Sequence, residues 1–239
     1  MSLQNHTNFN SNTRNIGGPG KLIVFEGGEG SGKTTQLRRS HTWLLHTPFG
    51  QQLLQTQKIS QILVTREPGG TDLGCEIRQI LLHSSTQQPI HPHTELLLYA
   101  ADRAQHVEAV LRPALAEGAL ILCDRFTDST VAYQGYGRGL DLTLIHQLNQ
   151  IATNGLVPDL TLWLNVDPQL GLTRANHRGN ADRMEQNSLD FHHQVQQGFA
   201  TLAKQHPNRI IEIDASRSED EVFATIQKVL EEKITRWFA

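Results

Sequence analysis

Cysteine is scarce in this chain: 239 residues carry only Cys75 and Cys123. The two lie in different segments with no C-x-x-C spacing, so neither a disulfide framework nor a cysteine zinc site is indicated, and a reducing cytoplasm is the expected setting. Aromatic residues make up 6% of the chain, so the core must be mostly aliphatic. No apolar run approaches the roughly 18 residues that span a membrane, and the first twenty residues lack the apolar stretch of a signal peptide. Strong charge of one sign is missing too. A formal net charge of -3 with no polybasic face argues against nucleic acid or a membrane surface as the main partner.

Histidine is plentiful, with twelve, but "HPH" (91–93), "HH" (192–193) and the scattered singles have no cysteine or carboxylate partners at metal-ligand spacing. They read as surface or loop histidines. Residues 1–20 are Asn-rich and end in "GGPG", which offers too little apolar surface to offset the entropy of ordering, so a disordered leader is expected there. The remaining 21–239 have no linker or repeat and read as one domain.

Five aliphatic runs read as strands: 21–26, 61–65, 119–123, 160–166 and 209–213. Most are continuous in hydrophobicity rather than alternating, as expected of a parallel sheet covered on both faces. Helical spacing is found over 33–46, 72–83, 93–116, 141–153, 168–177, 187–205 and 218–236, with Pro113 expected to kink or end the third of these. Alternation of strand and helix predicts an α/β fold wound around a five-stranded parallel sheet.

The segment Gly27-Gly28-Glu29-Gly30-Ser31-Gly32-Lys33-Thr34, followed by Thr35, matches G-x-x-x-x-G-K-[ST] between a strand and a helix. Glycines let backbone amides turn inward, and the following helix aims its positive end at the same point, so the loop can cradle phosphate. Lys33 is placed to reach the β- and γ-phosphates of ATP, and the Thr34 hydroxyl to bind Mg2+. A dinucleotide fingerprint fails on spacing, because the chain has Gly28-x-Gly30-x-Gly32.

Arginines then separate a kinase from a switch or motor. They stand in "TREPGGT" (65–71), "AADRAQH" (100–106), "CDRFTDST" (123–130), "YGRG" (136–139) and "RANHRGNADRMEQ" (174–186). Guanidinium forks suit phosphate oxygens, and Arg66 and Arg125 fall at carboxyl ends of predicted strands, the edge where such sheets bind ligands. More than one phosphate-binding region is expected in one cleft. Asp124, ending the third strand, is positioned as a magnesium-side carboxylate.

Taken together, "FEGGEGSGKTTQ", "VTREPGGT", "LLLYAADRAQH", "CDRFTDSTVAYQGYGRG", "PDLTLWLNVDP" and "RMEQ" resemble the thymidylate kinases over about residues 21–235. The resemblance implies a P-loop nucleoside monophosphate kinase fold and transfer of the ATP γ-phosphoryl group to dTMP, with Mg2+, for dTTP synthesis. It also implies a homodimer. By the same resemblance Glu29 lies near the sugar 3'-hydroxyl, Tyr99 stacks on thymine, and Arg103 and Arg125 lie near the acceptor phosphate. Arg66 would contact base or acceptor, Thr130 and Gln134 the base edge, and Tyr133 the face of the sugar at C2'. On the residues alone, Tyr99 and Tyr133 read better as core aromatics, since both sit in apolar surroundings.

Members of this family carry the assisting arginine either in the phosphate loop or in a lid. The variable loop positions Gly28, Glu29, Gly30 and Ser31 hold none, which directs the search to the lid at about 174–186 and to Arg178 as catalytic arginine, supported by Arg174 and Arg183. The expected catalytic set is Lys33, Asp124, Arg125 and Arg178. The connection 46–60 is longer than is usual in the family.

Overall fold

The computed structural model describes residues 19–83, 88–177, 179 and 182–239. Most of the expected leader therefore lies outside the described residues, and so does Arg178. β1 (Lys21–Glu26) occupies the middle of a five-stranded sheet with β2 (Ile62–Arg66), β3 (Leu120–Asp124), β4 (Leu160–Asn165) and β5 (Ile210–Asp214). The order is β2-β3-β1-β4-β5, and every pairing is parallel. Phe25 and Arg66 both register with Asp124, so the carboxyl ends of β1, β2 and β3 come out together.

Helices cover both faces, as the continuous aliphatic runs require. In chain order they are α1 (Lys33–His46), α2 (Pro48–Gln55), α3 (Asp72–His83), α4 (Pro92–His106), α5 (Arg112–Ala116), α6 (Thr127–Thr130), α7 (Leu142–Thr153), α8 (Pro168–Asn176), α9 (Leu189–Gln205) and α10 (Glu219–Trp237). Ile23 and Phe25 of β1 pack with Leu37 and Leu44 of α1 and with Val222, Ile226, Leu230 and Ile234 of α10. Leu22 and Val24 face the other way, toward Val107, Leu111 and Ala114. β1 thus has apolar partners at successive positions, which is why its run is continuous rather than alternating.

Local signals fix several ends. Ser218 and Glu221 form a reciprocal capping box at the start of α10, and Asp141 accepts from the amides of Thr143 and Leu144 at the start of α7. Pro113 does not end the long helix; it sits in the first turn of α5. α4 runs through a wide π-helical turn at Val107–Leu111 into α5, with the Arg112 amide donating to the Val107 carbonyl. A wider turn just ahead of proline is one way a helix absorbs the missing N–H and the ring.

Two helices were not expected. The long connection after α1 is mostly α2, where Pro48 supplies the first turn, Phe49 stacks on Trp43 at 5.4 Å and Leu53 is buried. Gln, Gly and Pro hide that periodicity. The second covers "TDSTVAYQGYG", which folds as α6 followed by a π-helical stretch, Val131–Gly137, packed on α9. His106 and His192 also depart from expectation. They are 0% and 5% exposed rather than at the surface, because α4 and α9 turn them inward.

Candidate active site

The phosphate loop joins β1 to α1. Gly32, at φ 86°, is the N-cap of α1, and Gly30, at φ 65°, lies so close to the Gly171 carbonyl that any side chain there would collide. Opposite this loop open the ends of β2 and β3, and the space between forms a cleft of about 630 Å³. Residues Glu29 to Thr35 line it, with Arg66, Tyr99, Arg103, Asp124, Arg125, Thr130, Tyr133 and Gln134. Gly27 and Gly28 instead turn their carbonyls to side chains of the site.

Lys33 is 8% exposed and folds back on its own loop, donating to the carbonyls of Gly27 at 3.1 Å and Gly28 at 2.8 Å. Burial, reinforced by the Arg125 charge, pulls its ammonium down to about 8 against the opposing pull of Glu29, Asp124 and Glu26. Its charge is thus held near a loop built for anions. Beside it the Thr34 hydroxyl donates to the Asp124 carboxylate at 2.8 Å. A hydroxyl and a carboxylate side by side at the mouth of a phosphate loop are hard oxygen donors suited to Mg2+.

Arg125 organises the far wall. Its backbone has φ 70°, a left-handed conformation uncommon outside glycine, directly after β3. From there the guanidinium donates to the Gly27 carbonyl at 3.0 Å, Ser129 Oγ at 3.0 Å, Glu29 at 2.8 Å and the Tyr133 hydroxyl at 3.1 Å. Tyr133 donates in turn to Glu29 at 2.6 Å. Burial pushes the Glu29 carboxyl up, but Arg125, Lys33 and the Tyr133 hydroxyl outweigh it and hold Glu29 at about 2. Glu29 is therefore anionic throughout the working pH range. Behind this group Glu26, 0% exposed, accepts from the amides of Phe126 and Ser129 and from Ser129 Oγ, tying β1 to the turn that carries Arg125. Burial, only partly countered by Arg125, raises Glu26 to about 7.

The other arginines differ in availability. Arg66 is exposed at the end of β2 and faces the cleft. Arg78 of α3 also lines it, held by the Pro68 carbonyl at 2.9 Å, and its pKa is lowered first by burial and then by Arg66 and Arg125. Arg66, Arg78 and Arg125 thus gather on one side of the cleft. Arg103, 2% exposed, is by contrast saturated: it donates to Glu67 at 2.8 Å, Thr130 at 2.9 Å, Asn149 at 2.8 Å and the Phe126 carbonyl at 3.0 Å. It forms the cleft floor and fixes Thr130. Gln134 donates to Glu95 at 2.7 Å, and Glu95 also accepts from Arg138. Tyr99 is half-buried at the cleft wall, where burial pushes its phenol upward.

Of the lid arginines, Arg174 donates to the carbonyls of Ala215 and Ser216 at the cleft edge, while Arg183 donates to the Leu81 carbonyl and pairs with Glu95. Arg178 lies outside the described residues. Arg78, Glu26 and Glu67 were not singled out in the sequence. Arg78 alone had a readable signal, an arginine about two helix turns beyond "REPGGT" on a helix starting at that same sheet edge.

A phosphate loop after β1, a hydroxyl–carboxylate pair for a hard cation and a facing wall of arginines in one cleft define the P-loop nucleotide-binding class of α/β proteins. The comparisons narrow this. The thymidylate kinase family model matches residues 25–226. A thymidylate kinase of Cyanothece sp. is 58% identical over 226 residues, covering 92% of this chain and 97% of that protein. One of Acaryochloris marina is 54% identical over 229 residues, covering 92% and 99%. The crystal structure of a thymidylate kinase from Ehrlichia chaffeensis superposes with a TM-score of 0.68 at 32% identity, covering 89% of this chain and all of the other. The chain belongs to the thymidylate kinase family.

Proposed function

We propose that the protein transfers the γ-phosphoryl group of ATP to dTMP, giving dTDP. The observation that carries this reading is one cleft with two anion-binding walls, the phosphate loop on one side and Arg66, Arg78 and Arg125 on the other, with Glu29 and Tyr133 between them. ATP would occupy the loop, with Lys33 exchanging its loop carbonyls for phosphate oxygens, and the residues Gly27 to Thr35 surrounding the triphosphate. The acceptor phosphate would sit against Arg125, with Arg66 and Arg78 beside it and Arg103 beneath. Glu29 would accept from the sugar 3'-hydroxyl, Tyr133 would cover C2', Tyr99 would stack on the base, and Thr130 and Gln134 would meet its edge.

Thr34 and Asp124 would hold Mg2+, which when bound neutralises charge on the β- and γ-phosphates. The chain's own part is alignment and electrostatics: two substrates held in line, with guanidinium groups facing the charge that spreads over the transferring group. No general base is required, since a phosphate monoester with a second pKa near about 6 is already mostly dianionic at neutral pH.

The absence of arginine between Gly28 and Ser31 supports an assisting role in the lid, for which Arg178 is our assignment. Arg174 and Arg183 are engaged elsewhere in this conformation. Arg178→Ala is expected to lower kcat by roughly 10³-fold with a much smaller change in the KM for dTMP. A near-normal kcat would move the role to another arginine.

Association as a homodimer is supported by an apolar face across three adjoining helices: Leu73 and Ile80 of α3, Leu97 of α4, Leu144 and Ile151 of α7, all exposed. Free cysteines support a cytoplasmic setting, and among the described residues no helix is long and apolar enough to cross a membrane. The deciding experiment is ADP release measured with dTMP, dUMP, dCMP, dGMP and AMP as acceptors. Preference for dTMP is the expected result. Equal or better turnover of a purine, or ADP release indifferent to any acceptor, would overturn the reading.

A further inference from the structure

Behind the phosphate loop, on the side away from the cleft, lies a second and much smaller cavity of about 20 Å³. Gly28, Glu29, Trp163, Asn165, His192 and Phe199 are among its walls. Glu29 alone of these also lines the large cleft, so this residue stands between the two spaces.

His192 on α9 is 5% exposed, and its Nε2 has no hydrogen-bond partner among the described residues. The ring is hydrogen-bonded to the backbone of Glu185 at the end of the lid segment, and Phe191 packs edge-on to it at 5.3 Å. Burial lowers the imidazole below its ordinary value, with Glu29 pulling against that and Arg138 and Asp182 the other charges facing it. The ring, with an unpartnered acceptor at Nε2, and the anionic Glu29 line the same cavity, and two acceptors cannot bond to each other. A water can donate to both. A polar site holding about 10–15 Å³ of probe volume takes one water, and this cavity has that room and those two acceptors.

We propose that His192 is a positioning residue for Glu29, holding the carboxylate through one water so that its free oxygen meets the acceptor's 3'-hydroxyl. The inference deepens, and rests on, the reading of Glu29 as the sugar contact. Chemically it is a selectivity device: an acceptor that brings a 3'-hydroxyl satisfies a carboxylate already aimed at it, and one without it leaves the buried oxygen unpaired. The link to the Glu185 backbone joins this contact to the end of the lid.

The test is the ratio of kcat/KM for dTMP to that for 3'-deoxythymidine monophosphate, measured in the wild type, Glu29→Gln, His192→Phe and His192→Gln. The ratio does not depend on the fraction of enzyme that is folded. His192→Phe keeps a planar ring but loses the acceptor, and is expected to reduce the ratio by about five- to ten-fold, with the KM for ATP unchanged. His192→Gln, which keeps a polar end of similar reach, is expected to retain most of it. Equal losses for both acceptors in His192→Phe, or equal losses of the ratio in the Phe and Gln variants, would mean that ring packing is the whole effect and would overturn the proposal. An unchanged ratio in His192→Phe alongside a reduced one in Glu29→Gln would overturn it while leaving the sugar contact intact. An unchanged ratio in Glu29→Gln would remove the sugar contact itself, and this inference with it.

Discussion

Lys33→Met is expected to cripple turnover while making the nucleotide-free protein harder to unfold. The loss of activity is expected to reach roughly 10³-fold in kcat, because a lysine at the β/γ-phosphate position is a preorganised charge facing the group that transfers. The gain in stability follows from where that charge waits. Lys33 is 8% exposed, and its pKa falls to about 8, first through burial and then through Arg125. In the unfolded chain it takes the ordinary lysine value of 10.5. Below pH 8 both states are protonated and the full cost of burying the ammonium is present. Between pH 8 and 10.5 the folded state has lost the proton and the unfolded state has kept it, so stability rises with pH across that window.

Methionine has similar length and no charge to desolvate. It forfeits the two bonds to Gly27 and Gly28 and the attraction of Glu29, so the net gain should be smaller than the pKa difference alone implies, about 1–3 kcal/mol at pH 7. Thermal unfolding without nucleotide checks this at pH 7 and again near pH 10, where the advantage should shrink. A variant less stable than the wild type at both pH values would mean that the ammonium is a net support of the loop, not a strained charge awaiting phosphate. Saturating ATP should reverse the order, since only the wild type gains strongly from binding.

The strands, the helices flanking them and the phosphate loop were readable because each is a local pattern. "KLIVFE" and "ALILCD" need only a few residues to declare a buried strand, and α3 lies over the 72–83 span that the spacing predicts. What was not readable is long-range. Glu26 and Ser129 are 103 positions apart, and Glu29 and Arg125 are 96 apart, so nothing near either residue announces its partner. Arg103 shows the same limit. A "DR" inside a helix reads as an available guanidinium, yet Glu67, Thr130 and Asn149 from three other segments converge to occupy it. His192 reads as a surface histidine until α9 is seen packed on the π-helical stretch that carries Tyr133. Those π-helical turns were hidden because a shift from i−4 to i−5 bonding leaves almost no compositional trace.

Arg125→Ala should be the most damaging change on the acceptor side, with an effect that depends on pH. The guanidinium reaches four acceptors at once: Gly27, Ser129, Glu29 and Tyr133. Its loss removes the proposed phosphate contact and releases Glu29 and Tyr133 from one geometry, so kcat/KM for dTMP should fall roughly 10²–10³-fold. Arg125→Lys should recover little. Three donors on a single ammonium cannot span the same four directions.

The pH signature comes from Glu29. In the wild type burial raises it, but Arg125, Lys33 and Tyr133 hold it at about 2, so no acid limb from this carboxyl enters the usual assay range. Arg125 is the largest of the opposing forces. Removing it lets burial dominate, Glu29 moves upward, and protonation becomes possible as the pH falls through the new, higher value. The profile of kcat/KM for dTMP should therefore gain an acid limb that the wild type lacks, while the ATP dependence changes little. For the same reason the variant should lose stability as pH rises, because the unpaired carboxylate must then be buried charged. At pH 7 that cost should approach about 3 kcal/mol, reduced by what Lys33 and Tyr133 still supply. An Arg125→Ala enzyme with low activity but the wild-type pH profile would show that Lys33 and Tyr133 suffice to keep Glu29 charged, and that Arg125 serves only the acceptor phosphate.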